Sequence, residues 1–280
     1  MKRAILLFGF IVMIASLSNG QTILDGAYIK ENVRTKKVVP YPPVREADVL
    51  WSKRIWRAID LREKANYSLY YPIEPIKGRL SLFDVIKQSI MVDGSLTAYS
   101  PGPTFQDDEF TTPLSPEEIK QVFVKVDTMA TEDPDTGEWI DVIQEIELGS
   151  TEITQYTVKE VWYFDKQSST IQVRIIGIAP MKEYYSEEGL FMGYQPIFWL
   201  YFPECRYVFV NFESFNPQND AQRISYDDLM SKRMFDSYII KEENVYDRKI
   251  FDYAQGVDAL LESERIKKEI FNWEHDLWSY

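Results

Sequence analysis

Between residues 119 and 212 the chain falls into short runs rich in valine, isoleucine and aromatic residues, and the turns between them are too short for a crossover. Val122, Val124 and Val126 alternate with Phe123 and Lys125, and residues 139–148 answer them across the Pro- and Gly-containing turn at 133–137. Residues 154–164 face 170–178 across 165–169, and 196–202 face 207–212 across 203–206. Strands joined this tightly run antiparallel, because parallel neighbours need a crossover of a dozen or more residues. The expectation is an antiparallel β-meander of about five to six strands.

Helical spacing flanks this region on both sides. Residues 45–64 place Trp51, Ile55, Ala58 and Ile59 at three- and four-residue steps, with Lys53, Arg54, Arg57 and Arg62 mostly elsewhere around the cylinder. Pro72 and Pro75 stop that pattern. On such a helix Trp51 and Trp56 would point about 140° apart, so Trp51 is assigned to the core and Trp56 to a contact. A second helix over 79–91 has Leu80, Phe83, Ile86 and Ile90 as its stripe, Ser81 with Asp84 as its cap, and Gly94 after its end. Prolines and acidic residues over 100–113 mark an exposed loop, and Ser115-Pro116-Glu117-Glu118 has the form of a helix start, although the segment soon turns to strand alternation. Residues 225–234, 245–254 and 257–273 return to helical spacing, which places the C-terminal helices within 225–274. Helices before and after an antiparallel sheet define an α+β class, with the helices packed on the sheet.

The ends and the charge set the domain plan. Lys2 and Arg3, an apolar run to Leu17 and small residues at Ser18 and Gly20 have the layout of a cleaved signal peptide over 1–20, too short to span a bilayer. Residues 21–43 end in Val39-Pro40-Tyr41-Pro42-Pro43 and read as an extended arm, leaving 44–280 as a single domain. Cys205 is the sole cysteine, so the mature chain is expected to lack an acyl anchor and an internal disulfide. Its aromatic neighbours favour a buried thiol over an intermolecular bridge. The net charge of -13 divides unevenly: residues 21–80 carry +5 and residues 81–280 carry -20. Nucleic acid is therefore excluded as a partner for the body of the molecule. The basic residues Arg45, Lys53, Arg54, Arg57 and Arg62, with Trp51 and Trp56, are the interface candidates.

The chemistry-bearing residues point away from catalysis and from any cofactor. His275 is the one histidine, which with one cysteine leaves no zinc site and no nucleophile–histidine pair outside the terminal tail. Phosphate loops and dinucleotide fingerprints do not occur. A glycan-processing or carbohydrate-binding role is the alternative: Asp107, Asp108 and Glu109, or Glu187 and Glu188, would be its carboxylates, and the aromatics between 194 and 209 its platform. Adjacent exposed carboxylates lack the apolar setting that raises a pKa, and aromatics at strand spacing are more simply core. Asp135 and Glu138 lie in a stretch that faintly matches a calcium loop, but a hairpin turn accounts for it.

The sequence Val44-Arg45-Glu46-Ala47-Asp48-Val49-Leu50-Trp51-Ser52-Lys53-Arg54-Ile55-Trp56-Arg57, followed by Asp60 to Lys64 and Tyr70-Tyr71-Pro72, resembles the gliding-motility family GldN and its secretion homologue PorN. The likeness continues through the second helix and through 158–164, 175–180 and 199–215. The resemblance implies a non-enzymatic periplasmic component of the type IX secretion and gliding apparatus of Bacteroidetes. It further implies a ring formed by copies of the chain with a GldK- or PorK-type outer-membrane lipoprotein, and contact with a GldM- or PorM-type motor arm. A subunit without its own anchor would reach the outer membrane through that lipoprotein. Asp127-Thr128-Met129 also fits a short acceptor pattern for O-glycosylation of exported proteins at Thr128, a motif that recurs by chance.

Overall fold

In the computed structural model the segment expected to form the first helix is instead a strand, β1 (Val49–Asp60), and the main sheet is built around it. The structure describes residues 36–76, 78–132, 139–186, 188–219 and 221–277, with backbone alone for 125–132 and 139–144. The expected signal segment, the arm as far as residue 35, the turn at 133–137 and Glu187 lie outside the described residues, as does the side chain of Thr128.

β1 pairs with β5 (Gln155–Asp165) along its whole length, and on its other edge with β11 (Tyr238–Glu242) from Ala58↔Tyr238 to Ile55↔Glu242. β5 continues into β6 (Thr170–Tyr185), which carries β8 (Trp199–Tyr201) and β7 (Phe191–Pro196) along its far side; β2 (Ala98–Tyr99) closes that edge. The result is a seven-stranded antiparallel sheet of order β11-β1-β5-β6-β8-β2, with β7 beside β6. β3 (Val124–Glu132) and β4 (Trp139–Glu147) form a separate ribbon, and β9 (Glu213–Ser214) and β10 (Ile224–Ser225) a short one. The helices are α1 (Tyr67–Tyr70), α2 (Leu82–Met91), α3 (Pro116–Phe123), α4 (Phe202–Phe209), α5 (Tyr226–Ser231) and α6 (Val257–Asp276).

The α+β class and the hairpins β3–β4 and β5–β6 are as the sequence indicates, and three local expectations are corrected. β1 was hidden because Ile55, Trp56, Arg57, Ala58 and Ile59 are all buried. A strand covered on both faces loses the two-residue alternation, and its apolar positions then match helical spacing by coincidence. Residues 207–212 are not a strand: Pro203 starts α4 within its first turn, and Phe202, Cys205, Arg206 and Phe209 make one buried helical face. In place of a helix over 245–254 there is a loop, following β11, with a single 3-10 turn at Ile250–Asp252. The sheet is consequently not a pure meander, since strands from both ends of the chain meet in it.

Capping chemistry places the helices where serines stand before acidic residues. Ser81 Oγ accepts from Asp84 N at 3.1 Å, and Ser115 with Glu118 and Ser225 with Asp228 form reciprocal boxes. One face of the sheet, carrying Ile59, Tyr156, Val158 and Ile178, is covered by α2, α4 and α5 through Phe83, Ile86, Phe202, Phe209 and Tyr226. Further along that face, Ile55 and Ile239 meet Ala259, Ile266 and Ile270 of α6. Cys205 lies in the first cluster, where burial pushes its thiol well up and keeps it protonated.

A charged belt divides these two clusters. Glu160 of β5 is fully buried; Arg233 Nη1 and Nη2 donate to its two oxygens at 2.7 and 3.2 Å, and Trp162 Nε1 adds a third bond at 2.8 Å. Arg57 shares the belt, donating to Ser237 Oγ at 2.9 Å and to Ser237 O at 2.6 Å. Burial lowers the pKa of Arg57, and Glu160 counters it. Removing one member of such a pair strands the other charge inside the protein. Arg233→Met should therefore destabilise the fold by about 3 kcal/mol, read as a lower urea midpoint with an unchanged m-value. Glu160→Gln, which keeps the shape and much of the hydrogen bonding, should cost less.

Candidate interaction surfaces

The basic residues of β1 were expected to form one pole, and the strand instead distributes them between its two faces and its edge. Lys53 Nζ lies 2.6 Å from Glu242, Arg54 3.5 Å from Glu243, and Arg57 is buried in the belt. Arg62, just past β1, forks onto Asp60 at 3.1 and 2.9 Å and donates to Tyr194 Oη at 2.7 Å; Glu183 lies 3.7 Å away. Arg45 is exposed ahead of the strand. Lys53, Arg54 and Arg62 are thus matched by carboxylates of their own chain. The tryptophan assignment is reversed as well. Trp56 is 7% exposed, whereas Trp51 is half-buried and stacks on Trp273 of α6 at 4.9 Å.

Trp56 is buried because a loop is clamped over it. Asp108 accepts from Trp56 Nε1 at 2.5 Å and from Lys159 Nζ at 2.9 Å, and its carbonyl takes a second bond from Lys159 at 2.8 Å. Lys159 is itself 7% exposed, with its ammonium 5.6 Å from the Trp56 ring and 5.5 Å from Phe110. Phe110 lies directly over Gly177: a Cβ there would sit 2.4 Å from the ring, so β6 needs glycine at this point. The loop thereby seals the second face of the sheet, where Trp56, Ala179, Met181 and Trp199 form the core.

This arrangement gives two of the glycan-site candidates, Asp107 and Asp108, structural roles. Asp108 is the clamp, and Asp107 accepts from Glu109 N at 3.0 Å and from Thr111 at 3.3 Å, so both organise the loop. Phe198, Phe202 and Phe209 are fully buried core residues. A cavity of about 130 Å³ beside Trp56 is lined by Asp108, Thr157, Trp199, Lys241 and Lys249. Lys241 in it pairs with Asp247 at 2.5 Å, while Thr157 Oγ1 has no partner. Among the described residues no cluster of metal-ligating side chains occurs, and no helix is long and apolar enough to cross a membrane.

The described part of the arm is a strap. Lys36 donates to Asp228, Pro42 O accepts from Arg174, and the Tyr41 ring lies 4.3 Å from the Arg206 guanidinium and 5.2 Å from that of Arg174. Arg206 is fixed beneath it by Asp227 at 2.8 Å.

Two other surfaces are apolar and exposed. The β6–β7 hairpin runs past the end of β5 and presents Tyr184, Tyr185, Leu190, Phe191 and Met192, with Phe191 5.9 Å from Tyr185 and 5.2 Å from Tyr194. The loop after β11 presents Val245, Tyr246, Phe251 and Tyr253. Sequence reasoning passed over both, since single exposed aromatics carry no periodic signal and 245–254 matched a helix.

By class, then, this is an α+β domain whose buried charges hold its own loops and strands together, and whose free surface is rich in exposed aromatics. The chain belongs to the GldN family: the model for gliding motility associated protein GldN matches residues 44–279, which include all the strands and helices named above. No curated protein matches the sequence.

Asp108→Ala leaves Lys159 buried without its carboxylate partner and should cost about 3 kcal/mol. The same change should speed hydrogen exchange and proteolysis across 100–113 while sparing α6. The strap should respond to acid. Burial pushes the Asp228 carboxyl up, but hydrogen bonds from Lys36 and Ser225 outweigh it and hold the carboxyl below its ordinary value. A depressed folded-state pKa stabilises above the unfolded value and is lost as pH falls through the folded one. A spin label at position 38 should therefore become mobile as pH falls below the ordinary carboxylate range, and Asp228→Asn should give that mobility at neutral pH.

Proposed function

We propose that this protein is an exported, non-enzymatic structural subunit of the gliding and type IX secretion machinery. In this reading it forms a periplasmic ring with copies of itself and an outer-membrane lipoprotein, and touches the arm of the inner-membrane motor. The observation that carries the reading is the family match across the whole domain. Three features support it. The buried charged groups are structural: Asp108 clamps a loop, Glu160 anchors a belt, and Arg206 supports a strap. Large exposed hydrophobics cluster at the hairpin tip and at the loop after β11, as expected of a surface that meets other proteins. The N-terminal sequence has the layout of an export signal.

The test is affinity capture of the protein from native envelopes, with electron microscopy of what is recovered. Capture should bring down an outer-membrane lipoprotein in rings labelled by antibody to this chain, with the mature N-terminus at Gln21. Deletion of the gene should stop gliding or secretion. Recovery as a free monomer from the cytoplasm would overturn the proposal.

A further inference from the structure

The two exposed aromatic surfaces lie at opposite ends of the sheet. β11 runs from its pairing with Ala58 to its pairing with Ile55, so the loop that follows leaves toward the start of β1. The β6–β7 hairpin continues beyond Met181, which pairs with Gln155 at the end where β1 finishes. One surface is therefore a head and the other a tail.

The loop after β11 is a rigid knob. Asn244 Oδ1 accepts from the backbone N–H groups of Tyr246 and Arg248 at 3.1 and 3.2 Å, while its Nδ2 donates to Glu242 O and Arg248 O at 2.8 and 2.9 Å. Held this way, Val245 is 98% exposed and Tyr246 78%. The Arg248 guanidinium lies 5.1 Å from the Tyr246 ring and 4.7 Å from the Tyr253 ring, and makes no ion pair among the described residues. Tyrosine and arginine dominate binding energy at interfaces, and a loop already ordered loses little entropy on docking. A valine and a tyrosine held out in water by four hydrogen bonds do nothing for the core.

The hairpin tip has the complementary character. Its aromatic cluster, Tyr185 with Phe191, is bordered by Glu188, which is exposed and makes no ion pair among the described residues. The unpaired cation of one surface thus matches the unpaired carboxylate of the other, each set among aromatics.

We propose that the knob of one copy docks on the hairpin tip of a second copy, with Tyr246 against the Tyr185–Phe191 cluster and Arg248 against Glu188. The partner is a second copy because this chain carries both halves of the match. A contact between two different surfaces propagates from copy to copy instead of closing on itself as a symmetric pair does, and so builds a ring or a filament. The proposal rests on the self-assembly reading above and names the surfaces that carry it.

The experiment places the photo-crosslinker p-benzoylphenylalanine at position 246 of the full chain in native cells. Irradiation should yield a product of twice the subunit mass, joined to a peptide within residues 184–192. Phe191→Ser should abolish the product while leaving the thermal midpoint unchanged. Arg248→Glu should lower its yield at least fivefold, and adding Glu188→Arg to the same chain should restore it. Attachment to a different protein, to lipid or to another part of a second copy overturns the proposal, as does the absence of any dimeric product. If other surface positions still crosslink to a second copy, self-assembly stands and only these surfaces fall. If none does, self-assembly falls with them.

Discussion

The fold depends on burying β1 from both sides. Ladder hydrogen bonds to β5 and β11 satisfy its backbone, helices cover one face, and the loop through Asp108 and Phe110 covers the other. A strand in that position can keep a charge only beside a fixed partner, because an unpaired ion in the interior costs several kcal/mol. Arg57 therefore faces the Glu160 belt, and Lys159, the β5 partner of Trp56, is answered by Asp108. Of the basic residues that stand out in the sequence, Arg57 is thus devoted to positioning this strand.

The two polar devices do different work. The Glu160–Arg233 belt separates the cluster under α2, α4 and α5 from the one under α6, so each helical layer meets its own part of the sheet. The Asp108 clamp substitutes for a helical layer on the opposite face. There a loop of little secondary structure provides one aromatic ring over Gly177 and one carboxylate between an indole and an ammonium. Both devices join elements far apart in sequence, which makes them invisible to any local pattern.

That explains what could be read beforehand. The hairpins β3–β4 and β5–β6 were legible because turn and alternation are local, α2 and the start of α3 because a serine ahead of an acidic residue is local too, and α5 because helical spacing is. β1 was misread because central burial erases alternation, and α4 because Pro203 reads as a turn unless the buried face at 202, 205, 206 and 209 is followed. The family likeness was legible in residues 44–72, whereas the strand form of that segment was not. Of its charges, Arg57 is buried in the belt, while Arg45, Arg54 and Arg62 stay at the surface.

The pairing of β1 with β11 has a further consequence for how the chain is made. Arg54 and Glu243 meet across 189 residues, so the centre of the sheet cannot be completed until nearly the whole domain has emerged, whatever delivers it N-terminus first. Local hairpins can form early, but β1 must wait with one edge open. A chain built this way keeps one edge of its central strand unpaired until β11 arrives from the far end of the sequence and shuts the sheet from the other side.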